Sequence, residues 1–420
     1  MPAFAQEEME EWAVHAQSTF VVQYHPAFHS PYRGPNSLDP GSRGDETFDA
    51  TLYFGARLWR GGEIWIDPEV DQGFGLSGTF GIAAFPSGEA YKVGSSSPYV
   101  RIPGLFLRQT FDLGGEAAVL ESEPKQLAST RDANNLIITA GKFSVVDVFD
   151  TNDYAHDARS DFMNWAVIDS GAFDYAADAW GYSYGLAAEL NEFSLSVRTG
   201  IFDMSRVPNG PALVRGFGDY ELTGEIEYRH SLFSLPGSIK FLAFANRARM
   251  GRYDDAVLLA RMTGGVPDTA LVRRDAWRGG YALNIEQAFG GQIGVFLRAS
   301  ANDARYENYE FTDINDSLAM GLSVRGVDWG RPEDRFGLAG VESFLSRPAR
   351  DYFAAGGLGT LIGDGRLPHY AAEQVFEAFY SAALPYGLTI TADYQFVSHP
   401  AYNRDRGPVS ILGMRLHYEQ

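Results

Sequence analysis

Cysteine is missing from all 420 residues, which excludes disulfides, a thiolate metal site and a cysteine nucleophile. No window approaches the roughly 18 consecutive apolar residues of a membrane helix. That excludes a helical membrane protein, not one built from strands. Basic residues are scarce: 34 Lys and Arg stand against 54 Asp and Glu, a formal charge of −20. Lacking a dense basic patch, the chain is a poor partner for nucleic acid. The eight histidines show neither an HExxH nor a paired-ligand spacing. His156, His369 and His399 read as loop hydrogen-bonders. There is no G-x-S-x-G elbow, and the many carboxylates are not concentrated with an acid–base logic. Nothing here asks for an enzyme or a cofactor. Gly357, Gly359 and Gly363 have the wrong spacing for a nucleotide loop and read as a flexible surface loop.

What the sequence has is alternation. Apolar residues make up 45% and aromatics 14%, too much for disorder. Trp12, Val14, Phe20, Val22 and Tyr24 alternate with His15, Gln17, Thr19 and Gln23. Leu222, Ile226 and Tyr228 alternate with Glu221, Glu225, Glu227 and Arg229. Leu388, Ile390, Ala392, Tyr394 and Phe396 alternate with Thr389, Thr391, Asp393 and Gln395. Period two of this kind is a strand with one apolar and one polar side. The segments run to about ten residues or more, longer than is usual in soluble sheets. Their polar sides carry charges in mid-strand, which a soluble sandwich would have to bury and a water-filled barrel would not.

Spacing separates those two. Short links fall at 60–62, 190–192, 231–237, 289–292 and 384–387, with a longer one on the same side at 112–134. Long segments fall at 25–46, 71–98, 146–177, 203–218, 250–278, 304–315, 346–371 and 398–407. Short turns on one side and long loops on the other is the layout of a bacterial outer-membrane barrel. About sixteen antiparallel transmembrane strands are expected, with both termini periplasmic and an aqueous channel inside. Trp12, Tyr24, Trp180, Tyr228, Tyr394 and Tyr418 are expected at the membrane interfaces. Asp254 to Met262 suggests a short helix within a loop. Ala3-Phe4-Ala5-Gln6 has the small-x-small pattern of a signal-peptidase site. Residues 1–5 therefore read as the remnant of an export signal, and residues 6–420 as one barrel domain.

The segment 147–165, DVFDTNDYAHDARSDFMNW, is long, acidic and aromatic, with no period of its own. It is expected to fold inward and narrow the channel. There Asp147, Asp150, Asn152 and Asp153 would face Arg57, Arg101, Arg108 and Arg198 on the wall. Charges of both signs suit a neutral sugar, whose hydroxyls need donors and acceptors while its C–H faces stack on rings.

Several stretches are similar to one family. Tyr402-Asn403-Arg404-Asp405-Arg406-Gly407-Pro408, Val148-Phe149-Asp150-Thr151-Asn152, Asp161-Phe162-Met163-Asn164-Trp165 and Phe28-His29-Ser30-Pro31-Tyr32 resemble the carbohydrate-selective porins of the OprB type. The resemblance covers nearly the whole chain. It implies a sixteen-stranded outer-membrane porin for glucose and similar sugars, with Asp150 and Asn152 in the inward loop, Trp165 beside it and Arg108 on the wall. Barrels of this type often end in an aromatic residue read by the assembly machinery, whereas this sequence reads Tyr418-Glu419-Gln420.

The sequence therefore predicts a passive sugar channel lined by Arg57, Arg108, Arg198, Asp147, Asp150, Asn152, Trp165, Glu377 and Asp393. Expected partners are sugars, outer-membrane lipid, lipopolysaccharide and the barrel-assembly machinery. Monomer and homo-trimer both stay open. A general or cation-preferring porin, favoured by the −20 charge, is the main alternative; a β-rich polysaccharide hydrolase is the other.

Overall fold

The computed structural model describes residues 9–90 and 94–420; the 1–5 segment lies outside them. Sixteen antiparallel strands close into one barrel. In chain order they are β1 (Trp12–His25), β2 (Arg43–Trp59), β3 (Gly62–Gly73), β4 (Ser95–Leu120), β5 (Ser129–Phe143), β6 (Ser183–Glu192), β7 (Leu195–Asp203) and β8 (Tyr220–Leu232). The second half comprises β9 (Leu235–Met250), β10 (Arg274–Phe289), β11 (Ile293–Asn302), β12 (Asp316–Gly326), β13 (Arg331–Phe344), β14 (Glu373–Ala383), β15 (Leu388–Ser398) and β16 (Val409–Glu419). Each strand pairs with its sequence neighbours, and β1 closes the ring on β16, with Phe20 opposite Leu416.

The alternation decides which way the strands face. On β1, Trp12, Val14 and Tyr24 are exposed while Gln17, Thr19 and Gln23 are buried. On β8, Leu222, Ile226 and Tyr228 are exposed while Glu221, Glu225 and Glu227 are buried. Apolar outside and charged inside inverts a soluble fold. A continuous apolar outer band of this kind is stable only against lipid. Among the described residues no helix is long and apolar enough to cross a membrane; strands make the crossing.

Links of two to four residues join the strands at one rim, including one at 327–330 that periodicity leaves undetected. The long loops leave from the other rim. The helix expected near 254–262 is present as Tyr253–Thr263. Asp254 and Asp255 in its first turn favour the positive end of its dipole, and Gly264 at φ 72 ends it.

Two expectations need correction. Trp180 does not join the outer aromatic belt. It precedes β6, and its indole N–H donates to the Tyr99 hydroxyl (2.9 Å) inside the barrel; the alternation runs on past the strand and misleads. The glycine-rich 357–363 stretch is not a surface loop. Leu361 and Ile362 are buried, and the Asp313 carboxylate accepts their backbone N–H groups at 2.6 and 3.2 Å.

The longer link near 112–134 is not a simple connection. Gln109 is the last β4 residue paired to β3, and β5 first meets β6 at Asn135. Residues 110–120 and 129–134 therefore form a two-stranded ribbon beyond the rim. Its register shifts around Gly114, where Gly114 and Gly115 both adopt φ 98. That conformation favours glycine, and the bulge bends the ribbon. The segment 121–128 is thereby carried back into the barrel. Ser122 Oγ lies 3.1 Å from His15 Nε2 on β1, Ala128 N donates to Glu10 Oε2 (2.7 Å), and Leu127 is buried.

Candidate functional site

A barrel of sixteen strands is wide enough to hold a water channel. Here loops fill much of it. The connection 144–182 between β5 and β6 folds inward, carrying the one-turn helix Trp165–Ile168. Irregular backbone in the interior leaves N–H groups that must find acceptors. The inward-facing carboxylates of the strands supply them. Glu225 accepts from Asp150 N (2.8 Å) and Glu286 from Asp153 N (2.7 Å). Glu377 accepts from Met163 N (2.5 Å) and Asn164 N (3.1 Å). Glu221 accepts from Ala176 N (3.0 Å). Basic residues take the loop carbonyls: Arg298 donates to Val167 O (2.8 Å), and Arg415 to Ala158 O (2.5 Å) and Asp161 O (2.9 Å). Hydrogen bonds with one charged partner are roughly twice as strong as neutral ones. The loop is thus bound along the β8 to β16 half of the wall.

A second loop, from β3 to β4, locks against the first. Glu373 accepts from Ala83 N (3.0 Å) and Ala84 N (2.8 Å). Phe85 O accepts from Trp165 N (3.1 Å), and the Phe85 ring stacks on Trp165 at 5.1 Å. Tyr175 and Phe311 close the cluster around Trp165. A cavity of about 80 Å³ opens beside Trp165, Tyr175 and Trp180.

The opposite wall is polar and aromatic together. Arg101 on β4 pairs with Glu69 and Asp71 on β3, and its guanidinium lies 5.2 Å from the Tyr182 ring and 5.9 Å from the Trp180 ring. Arg159 crosses from the inward loop to Asp49 (3.2 Å), Glu69 (3.3 Å) and Glu89 (3.2 Å). Burial alone would pull the Arg159 guanidinium down; Glu89 and Asp49 outweigh it and hold it above its ordinary value. Toward the short-turn rim a vestibule of about 570 Å³ is lined by Arg131, Asn191, Arg198, Glu227 and Lys240, with Asp153 and Tyr154 of the loop at its roof. That is within the roughly 300–1,000 Å³ typical of small-molecule clefts.

The residues singled out in the sequence are placed as follows. Asp150 is buried and accepts from Ser170 N (2.6 Å) and Asn284 Nδ2 (2.9 Å), with Arg298 at 3.5 Å. Asn152 donates to Asn284 Oδ1 (2.8 Å). Asp147 pairs with Lys125 at 3.0 Å. Arg57 donates to the carbonyls of Glu10 (2.9 Å) and Ala128 (3.3 Å), and Arg108 to that of Lys125 (2.6 Å). Arg198 is clamped by Glu189, Glu225 (2.7 Å) and Glu227 (2.7 Å). The loop acids therefore meet Arg298 and Lys125, while Arg57, Arg108 and Arg198 bond to other partners. Glu377 and Asp393 are inward-facing and enclosed, and Asp393 accepts from Gln395 Nε2 (3.2 Å). Lys125, Arg101 with its acids, and Arg159 complete the site. The Glu69–Asp71 alternation in β3 could have signalled the acids; nothing local signals Lys125.

Within the loop His156 lies 3.5 Å from Asp169, with Arg298 and Asp150 nearby. Burial would lower the His156 imidazole, but the neighbouring Asp169 carboxylate outweighs that and raises it; burial raises Asp169. Both raised groups bind protons more tightly in the packed loop. Its packing is therefore strongest at acid pH and weakens as pH rises through the raised imidazole pKa. Channel current is expected to be quieter and smaller at pH 5 than at pH 8 in bilayer recordings, and His156→Gln to flatten that difference.

The decisive match is to a family model described as carbohydrate-selective porin, OprB family, which spans residues 35–419. The chain belongs to that family. Solved structures agree on the fold of this porin. It superposes on OprB of Pseudomonas putida in a high-pH structure with a TM-score of 0.74 at 14% identity, covering 98% of this chain and 94% of that one. With the outer membrane channel DcaP of Acinetobacter baumannii the TM-score is 0.54 at 11% identity, covering 97% of each. Porin AaxA of Chlamydia abortus (strain DSM 27085 / S26/3) is 21% identical over 291 residues, 69% of this chain and 55% of its own. The porin thus spans about half the length of that curated relative. Its family-like 402–408 run sits in the last long loop as a staple. Tyr402 donates to Asp313 O (2.8 Å), Asn403 to Asp364 Oδ2 (2.9 Å), and Arg406 to Leu38 O (2.6 Å). It binds the loops to one another at the outer mouth.

Proposed function

We propose that this porin is a passive channel for glucose-sized sugars and short oligosaccharides, moving them down their gradient across the outer membrane of a Gram-negative bacterium. The observation that carries the reading is the Arg101–Glu69–Asp71 group on the β3–β4 wall, lying beside the rings of Trp180 and Tyr182. Donors, acceptors and ring faces side by side match the hydroxyls and C–H faces of a pyranose. Binding there stays weak because the charged groups already bond to one another, so release is fast, as flux requires. Asp147, Arg108, Arg57 and Arg198 are assigned to the solute path. Asp150, Asn152, Glu377 and Asp393 act on it through the loop they hold, and Trp165 through the ring cluster. Lipopolysaccharide and the barrel-assembly machinery are the partners that follow from this location.

Single-channel current in a planar bilayer, titrated with glucose and then maltose, tests the reading. Saturable block is expected. Open current without block favours general diffusion, the reading suggested by the −20 charge. Folded protein that gives no channels would overturn both.

A further inference from the structure

We infer that Lys125 is a selectivity-determining residue of this channel: the ribbon between β4 and β5 carries its ammonium into the lumen from the periplasmic side, to meet Asp147 of the loop entering from the other side. The inference rests on the porin reading and adds to it an element from the opposite end of the barrel.

The bend at Gly114 and Gly115 turns the ribbon inward, and its tip is a tight turn. Glu123 and Gln126 exchange backbone hydrogen bonds of 3.0 and 2.9 Å. Between them Pro124 comes second and Lys125 third, with φ 64 at Lys125. Proline followed by a positive φ marks a type II turn, whose third position ordinarily takes glycine or asparagine. A lysine held there presents a long charged side chain from the tip of a short turn. Such backbone positions collect at functional sites. The turn is fixed from the wall, because Arg108 donates to the Lys125 carbonyl (2.6 Å).

The ammonium reaches both oxygens of Asp147, at 3.2 and 3.0 Å, and lies 6.0 Å from the centre of the Tyr182 ring. Asp147 is itself oriented by Ser144 N (3.2 Å). The carboxylates that anchor the inward loop are closed off from solvent. This pair is not: 21% of the Lys125 side chain and 32% of the Asp147 side chain remain exposed. Two independently inserted segments thus meet at a solvated charge pair. A solute that passes must slide along it or part it.

The pair also carries a charge balance. One ammonium faces one carboxylate. With Lys125 present, a neutral solute finds donors and acceptors and meets no large net field. Without it, the Asp147 carboxylate stands unbalanced at this level of the lumen and favours cations. Burial would lower the Lys125 ammonium, but Asp147 outweighs it and holds it above its ordinary value, so the residue stays charged at neutral pH.

The absence of cysteine from these 420 residues makes Lys125→Cys a clean test, because its thiol is the sole one among them. In bilayers under a KCl gradient, Lys125→Cys is expected to shift the reversal potential toward cations and to raise conductance about twofold. A positively charged methanethiosulfonate added from the short-turn side should reverse both changes, and a negatively charged one should deepen the cation preference. Asp147→Asn, which keeps an oxygen for Ser144 N–H, should shift selectivity toward anions. A thiol labelled by mass spectrometry with no change in current, or one that neither reagent reaches, would place Lys125 outside the path and overturn the inference. Wild-type protein that forms no channel would instead overturn the porin reading, so the two failures are distinct.

Discussion

Glu377→Ala is expected to raise single-channel conductance severalfold and to abolish block by sugar. The Glu377 carboxylate is fully buried and accepts from Met163 N at 2.5 Å and Asn164 N at 3.1 Å. Alanine leaves both backbone donors buried and unpaired. Each such group costs about 1–3 kcal/mol, enough to favour a loop that swings away and finds water. Phe162 would go with it, losing its edge-to-face contacts with Phe296 (5.6 Å) and Phe379 (4.9 Å), and so would Trp165 on Phe85. The narrowing disappears while the barrel, whose ladders do not involve the side chain, stays closed. Glu377→Gln should fall between the two, because its amide oxygen still accepts one N–H while its NH₂ faces the other. Equal conductance and equal sugar block in wild type and the alanine variant would show that this carboxylate does not hold the loop.

The largest loss of stability is expected from Arg278→Met. Arg278 and Asp174 form an ion pair with neither side chain exposed. Arg278 also donates to Asn308 Oδ1 (2.5 Å), and Asp174 accepts from Tyr309 N and Glu310 N, both at 2.8 Å. Methionine fills the space but leaves a carboxylate charge buried in a dry setting. Removing one partner of such a pair costs about 3–5 kcal/mol. The temperature at which the folded band is lost in unheated gel electrophoresis should drop clearly. Adding Asp174→Asn removes the stranded charge, keeps an acceptor for one N–H, and should recover most of the loss. A double variant no more stable than the single one would mean that the cost lies in packing, not charge.

These two variants also show where sequence reading reaches its limit. The strands are legible because their faces differ over many residues: Gln17, Thr19 and Gln23 against Trp12, Val14 and Tyr24 need no tertiary knowledge. The short-turn and long-loop sides follow from spacing alone. That the 147–165 segment turns inward is legible from its length and missing period. Which wall it binds is not. Glu225 lies 75 residues from Asp150, and Glu377 lies 214 from Met163, and nothing local in the loop specifies either. Trp180 misleads because alternation continues for three residues past the end of the strand. Lys125 is invisible for a different reason: its place depends on the ribbon bend at Gly114 and Gly115, which only the pairing of β4 with β5 reveals.

The wall carboxylates grip the inserted loop mainly through peptide N–H groups, not through its side chains. Every residue but proline offers that N–H, so the grip does not depend on which side chain sits there. The loop residues that point away from the anchors can therefore be rewritten without releasing the loop. A position such as Asp153, exposed at the vestibule roof, is where an engineer could change the preferred solute while leaving the scaffold as it is. The same separation gives natural drift a route from one solute to another through barrels that remain fully assembled at each step.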